Sequence, residues 1–179
     1  MPTGIGHPAK NLVEYEFPGT PFTTAQMSWK WYDGANAPPS IADLALPKEF
    51  ELPESYKLPG QGSLFVGQYG VMVLPHVGEA LLFPEDKFKD QVRPEVGDLN
   101  HYHQWVDACH GNGETSADFS YSGPLTEALL LGVVANRFPG ETLQWDAENM
   151  SVINLAAANQ LLQSHYRKDF TVENLLPAI

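Results

Sequence analysis

Cysteine is nearly absent from this chain. Cys109 is the only one in 179 residues, so no internal disulfide can form. Basic residues are scarce as well: 10 Lys and Arg stand against 22 Asp and Glu, a formal net charge of −12. Their longest run is the pair Arg167-Lys168. Nucleic-acid binding draws its affinity from clustered cations on phosphates, which excludes that class of partner. Long apolar runs are missing too. The longest, Ala128 to Ala135, falls far short of the roughly 20 residues a membrane-spanning helix needs. No charged start leads into an apolar stretch at the N-terminus, so no secretory signal is read and the cytoplasm is the default compartment. There is no GxGxxG after a strand, no P-loop, no GxSxG and no HExxH, and hence no recognisable nucleotide site.

What is present fits a folded protein. Hydrophobic residues make up 43% of the chain, with four tryptophans among them. The length suits one domain with a real core, read as 11–170 between an open leader, 1–10, and a tail, 171–179. From Asn11 to Phe17 the residues alternate, with Val13, Tyr15 and Phe17 on one side and Leu12, Glu14 and Glu16 on the other. That is a strand with one wet face. Ala25 to Asp33 repeats the pattern, placing Met27, Trp29 and Trp31 on one face, an apolar strip that needs a cover. Asp33-Gly34 reads as a turn. Residues 35–62 are rich in proline, with room for one helical turn at Ser40 to Leu46 capped by Ser40. Short strands follow at 63–66, 71–74 and 79–83. The first two are joined through Gly67-Gln68-Tyr69-Gly70, whose glycines suit a turn needing positive φ.

The second half reads as helical. Leu99 to His110, capped by Asp98, places Tyr102, Trp105, Val106 and Cys109 on one face, which makes Cys109 a buried thiol. A second helix starts near Gly123-Pro124 with Ser122 as cap. It is apolar nearly all round through Ala135 and therefore central and buried. A short strand at 142–145 and a last helix, capped by Asn154 and running to about Ser164, complete the chain. The fold class expected is α+β: an open, mainly antiparallel sheet with helices packed on one face.

Candidate chemistry is sparse. His101 and His103 stand two apart, which on a helix points them to different faces and gives poor metal geometry. A neutral imidazole at position 101, at a helix start, is able to hydrogen-bond a substrate hydroxyl. Tyr32 and Asp33, at the end of the Trp-rich strand, offer a sugar-hydroxyl contact, with a simple turn role for Asp33 as the plainer alternative. Glu127 and Asp146 are a possible carboxylate pair that nothing in the sequence brings together.

One ordered set of short motifs is more specific. It comprises Tyr15-Glu16-Phe17-Pro18, Trp31-Tyr32-Asp33-Gly34, Leu64-Phe65-Val66-Gly67 with Gly70, Asn100-His101 with Trp105 and Asp107-Ala108-Cys109, and Gly123-Pro124-Leu125-Thr126-Glu127 with Leu131-Gly132. It continues through Trp145-Asp146-Ala147-Glu148-Asn149, Ala158-Asn159 and Tyr166-Arg167-Lys168. The set resembles the C-terminal domain of the Gfo/Idh/MocA family of NAD(P)-dependent oxidoreductases, above all its planctomycete-type subfamily. The resemblance implies a substrate-side and oligomerisation domain of a sugar- or polyol-type dehydrogenase. In that family a separate Rossmann domain holds NAD or NADP. The family's Glu-Lys-Pro motif and its Asp-x-x-x-His pattern are absent from these 179 residues, so no catalytic residue carries over and the chain alone is expected to be inactive. Its implied partners are the parent's Rossmann domain and further copies of the chain, through a sheet face bearing Met27, Trp29 and Trp31. The competing readings are a free-standing sheet-mediated dimerisation or binding module and, further off, a small metal- or carboxylate-dependent hydrolase.

Overall fold

A computed structural model of the chain describes residues 6–50, 52–53, 55–95, 97, 99–163, 166–167 and 169–170. The tail, the first five residues of the leader, and Asp98, Ser164 and His165 lie outside that set. The fold class is α+β, and every strand pairing described is antiparallel, spread over three small sheets. The chain divides into two compact units, residues 9–100 and residues 1–8 with 101–179.

The first of these units begins with a long ribbon. Strand β1 (Lys10–Pro18) pairs with β2 (Gln26–Gly34) over its full length. The connecting loop is closed by Gly19 N–H donating to Ala25 C=O at 2.8 Å. Gly19 has no alternative there, because a Cβ would lie 2.2 Å from Thr24 O. At the far end Asp33 Oδ1 accepts from Gly34 N–H at 2.7 Å, and Gly34 adopts φ +60°. The turn reading of Asp33-Gly34 therefore holds.

The same unit has a three-stranded meander, β3 (Gly62–Val66), β4 (Val71–Pro75) and β5 (Leu81–Phe83). Its centre is Leu52, Val71, Val73 and Phe83, all buried. Each fully buried side chain of this size contributes roughly 1.5–3 kcal/mol over its exposed state. The proline-rich stretch is no idle surface loop: Ile41, Leu46, Phe50, Tyr56 and Leu58 pack onto that core. Its 3₁₀ turn, Ile41–Leu44, is capped by Ser40, whose hydroxyl accepts from Asp43 N–H, as the sequence predicts. A short helix that the charge of residues 84–97 concealed, α1 (Glu85–Phe88), follows β5. Lys87 ties it down. Its ammonium donates to Tyr69 C=O at 2.7 Å and lies 5.3–5.8 Å from the ring centres of Phe50, Tyr69 and Phe88.

The glycines of the β3–β4 turn need a different explanation from the one expected. Neither Gly67 nor Gly70 has positive φ. Gly70 is required by crowding: a Cβ would stand 2.2 Å from Phe83 O and 2.7 Å from the Phe88 ring.

In the other unit, α2 (His101–Cys109) starts two residues later than the pattern suggests. Gly111 and Gly113, at φ +79° and +105°, end it. Helix α3 (Phe119–Ala135) starts well before Pro124, which sits inside it. The cap is Asp118, not Ser122: its carboxylate accepts from Ser120 and Tyr121 N–H at 2.8 and 3.1 Å. The hydroxyl of Ser122 instead bonds back to Asp118 C=O, and that of Thr126 to Ser122 C=O. Two further expectations fail. In α3 only Gly132 and Val134 are buried, and Cys109 is exposed. The tryptophan on the expected buried face of α2, Trp105, is 52% exposed. Apolar content alone decided those readings, and it marks a face that can be buried rather than one that is. The core of this unit lies further on, where Val134, Val152 and Ala158 are packed by Phe138, Leu143, Trp145 and Leu155. Strand β6 (Trp145–Asp146) pairs with β7 (Ser151–Val152), and α4 (Ala156–Asn159) packs beside β7. Asn154 does not cap that helix. Its side chain joins the segment before β6, accepting from Gln144 N–H and donating to Thr142 C=O. Among the described residues no helix is long and apolar enough to cross a membrane.

Candidate functional site

The β1–β2 ribbon is the most distinctive surface. Its register sets Val13 opposite Trp31, Tyr15 opposite Trp29 and Phe17 opposite Met27. Because side chains alternate along a strand, all six stand on one face. Tyr15 stacks on Trp29 with centroids 4.7 Å apart and on Phe17 at 5.9 Å, while Trp29 meets Trp31 edge-on at 5.8 Å. Aromatic pairs in such geometry add about 0.5–1.5 kcal/mol each beyond the area they bury. Burial by this strip raises the Tyr15 phenol above its ordinary pKa. Val13 is buried, Tyr15, Phe17, Met27 and Trp29 are half-buried, and Trp31 is exposed.

The opposite face is polar. Lys30 meets Glu14 at 2.9 Å, and the Ser28 hydroxyl donates to Glu16. The Glu14 carboxylate raises the Lys30 ammonium above its usual value. The ribbon is thus amphipathic, with charge on one side and an aromatic ladder on the other.

Tyr32 is half-buried on the polar face opposite Leu12, and Asp33 is exposed at the strand end. One Asp33 oxygen is committed to Gly34. The remaining lone pairs of that exposed carboxylate are able to accept from a ligand's hydroxyl. His101 belongs to the other unit. It is the first residue of α2, exposed, with its ring 4.0 Å from that of Tyr102.

The sequence reading named Glu127 and Asp146 only as a possible carboxylate pair and missed the bonds that join the cluster around them. Trp145 Nε1 donates to Glu127 Oε1 at 2.6 Å. Asp146 accepts from the backbone of Glu148 and Asn149 and from the Asn149 side chain. The Asn149 amide side chain and then its backbone N–H hold the Asp146 carboxyl below its ordinary range. Asn159 turns its amide edge-on to Val152, accepting from its N–H at 2.7 Å and donating to its C=O at 2.9 Å. Glu127 lies in the third turn of α3, too far from the helix start for the dipole to explain it, and its partner is the Trp145 indole. Glu127 bonds the indole of Trp145, while Asp146, the next residue along, bonds Glu148 and Asn149. The one sequence signal for this cluster was the density of Asp, Asn and Trp between 145 and 159.

These features bear on cofactors. A Rossmann domain holds a dinucleotide at a parallel βαβ crossover that delivers a glycine turn to a helix N-terminus. The strand pairings among the described residues are antiparallel. Among the described residues, no three of His, Cys, Asp and Glu converge to hold a metal ion. No protein-family model, curated protein or solved structure matches this chain.

Proposed function

We propose that the chain is the substrate-side and oligomerisation domain of an NAD(P)-dependent oxidoreductase acting on a sugar- or polyol-type substrate, with the cofactor held by a separate Rossmann domain. The observation that carries the reading is the ordered motif set. Several of its members do linked structural work: Glu127 with Trp145, Asp146 with Asn149, and Asn159 with Val152, beside Ala158 in the core. Motifs that interlock locally are what a shared domain scaffold requires. The aromatic face bearing Met27, Trp29 and Trp31 supports the oligomerisation part, since a strip of this kind favours an apolar cover. In this reading Tyr32 and the Asp33 carboxylate in the one unit, and His101 in the other, are each taken separately as candidate contacts for a substrate hydroxyl and perform no proton transfer.

Two experiments test it. The reading frame upstream of residue 1 should encode a strand, a GxGxxG turn and a helix, and NAD(P)H titrated into the 179-residue chain alone should not bind. A parent frame without a dinucleotide-binding domain, or tight NAD(P)H binding by this chain, overturns the reading. The alternative, a free-standing sheet-mediated dimerisation or binding module, is favoured by the aromatic face alone. It is the conclusion to draw if the upstream frame is empty and Trp29→Ala still dissociates an oligomer in sedimentation.

A further inference from the structure

Strand β2 has one neighbour. Among the described residues it pairs with β1 alone, so its outer edge is open. The ends of the ribbon show which groups that edge presents. Gly19 N–H donates to Ala25 C=O beyond one end, and Ala35 N–H donates to Ala9 C=O beyond the other. Each bond lies one step past a strand end in the same register, where Pro18 faces Gln26 and Lys10 faces Gly34. Facing pairs in an antiparallel ladder alternate between bonded and non-bonded. The odd-numbered residues therefore bond across the ribbon, and the even-numbered residues of β2 turn their N–H and C=O groups outward. Gln26 C=O takes the Thr24 hydroxyl, and Gly34 N–H is held by Asp33. Both backbone groups of Ser28, Lys30 and Tyr32 have no hydrogen-bond partner among the described residues. No residue of β2 is buried.

An open edge is a template for another strand, and a two-stranded ribbon is marginal by itself in water. The two edges of this ribbon differ. The outward-bonding positions of β1 include Glu14 and Glu16, and the strand ends in Pro18, which has no N–H to offer. Charge and proline are the devices that blunt an edge. From Gln26 to Tyr32, β2 has no acidic residue, in a chain of net charge −12. Its one cation, Lys30, is held by Glu14 at 2.9 Å.

We propose that β2 pairs edge to edge with β2 of a second copy, antiparallel about a two-fold axis at Trp29, to make one four-stranded sheet. A strand paired antiparallel with its own copy is an isologous contact, so assembly through this edge stops at two copies. In this register Ser28 faces Lys30 of the second copy and Gln26 faces Tyr32. All four turn their backbone groups outward, and no like charges stand opposite each other. Moving the axis to Lys30 would set two ammonium groups face to face, which destabilises a strand pair. Trp29 meets its own copy at a non-bonded position, where facing side chains come closest, and Met27 meets Trp31. The aromatic strip thus runs unbroken across four strands. This contact uses the backbone edge and leaves the aromatic face itself open to a cover.

The test is sedimentation equilibrium of the full chain, with amide exchange followed at low and high protein concentration. The wild type should dimerise, and the N–H groups of Ser28, Lys30 and Tyr32 should exchange at least about tenfold more slowly in the dimer. Those of Glu14 and Glu16, on the β1 edge, should stay fast. Lys30→Pro removes an outward N–H that β1 does not use, so the ribbon survives while the dimer weakens by at least about tenfold. Lys30→Ala loses the ion pair but keeps the N–H and should still dimerise. Circular dichroism checks the fold of each variant, and the wild-type exchange comparison decides the matter even where Lys30→Pro unfolds. A chain that stays monomeric, a dimer whose Ser28, Lys30 and Tyr32 amides exchange as in the monomer, or a dimer indifferent to Lys30→Pro overturns the proposal. A dimer lost on Trp29→Ala with those three amides still fast overturns it while leaving the aromatic-face reading standing. Protection of the three amides in a chain whose parent frame encodes no dinucleotide domain supports the edge pairing and overturns the oxidoreductase reading.

Discussion

Replacing Asn159 by alanine tests the most economical contact in the molecule. The amide of Asn159 serves both the N–H and the C=O of Val152, at 2.7 and 2.9 Å, as a neighbouring strand would. Val152 is 3% exposed, so water does not replace the lost partner. A buried backbone group left unsatisfied costs about 1–3 kcal/mol, and two such groups bring the expected loss to about 2–6 kcal/mol. For a chain of this size that lowers the melting midpoint by roughly 4–24 °C. Urea denaturation followed by circular dichroism measures the loss, and amide exchange at Val152 localises it. The Asn159→Asp variant sharpens the argument. A protonated carboxyl can accept from N–H and donate to C=O as the amide does, whereas the carboxylate cannot donate. The introduced group's folded pKa is therefore raised above its unfolded value of about 3.9. Its stabilisation relative to Asn159→Ala is present below that unfolded value and is lost as pH rises through the folded pKa. An alanine variant within about 0.5 kcal/mol of wild type, or unchanged exchange at Val152, would refute the reasoning.

Three further outcomes are expected. Trp145→Phe removes the donor to the half-buried Glu127 and should cost about 1.5–3 kcal/mol in the same denaturation assay, whereas Glu127→Gln keeps an acceptor and should cost less. Asp118, held below its ordinary pKa by the Ser120 hydroxyl and then by the Tyr121 and Ser120 N–H groups, caps α3 above its unfolded pKa and loses that contribution as pH falls through its folded one. Helicity should therefore drop in acid for wild type and respond less in Asp118→Asn, whose side-chain oxygen accepts without titrating. Cys109 should react with a maleimide in the native protein at one equivalent per chain without denaturant; a thiol that labels only after unfolding contradicts its exposure.

The β half of the fold was the more legible in sequence, and the reason is physical. A strand repeats every two residues, so nine residues of β1 state its face four times over, and the wet and dry sides of both ribbon strands follow from the alternation. Turn chemistry at Asp33-Gly34 and the Ser40 cap were readable because each rests on a local hydrogen bond. The helix boundaries were not. Pro124 looked like a start because proline favours the first turn, but Asp118 supplies a stronger signal six residues earlier, with side-chain bonds to two free N–H groups. Burial was legible least of all. The apolar residues of α2 and α3 fix what could pack, and only contacts between distant segments decide what does. The Asn159–Val152 and Glu127–Trp145 bonds, which join residues 7 and 18 positions apart, have no local signature for the same reason.

The placing of the aromatic residues has an optical consequence. Trp29 and Trp31 lie 5.8 Å apart at 82° within the ribbon, while Trp105 and Trp145 belong to the other unit. Transition dipoles at that separation mix, so the ribbon pair should give an exciton-split circular dichroism band that the other two indoles do not share. Trp145, with its N–H bonded to a carboxylate, has a fluorescence environment of its own. The four tryptophans therefore divide two and two as built-in reporters, and the opening of each half of the chain can be timed separately without a label.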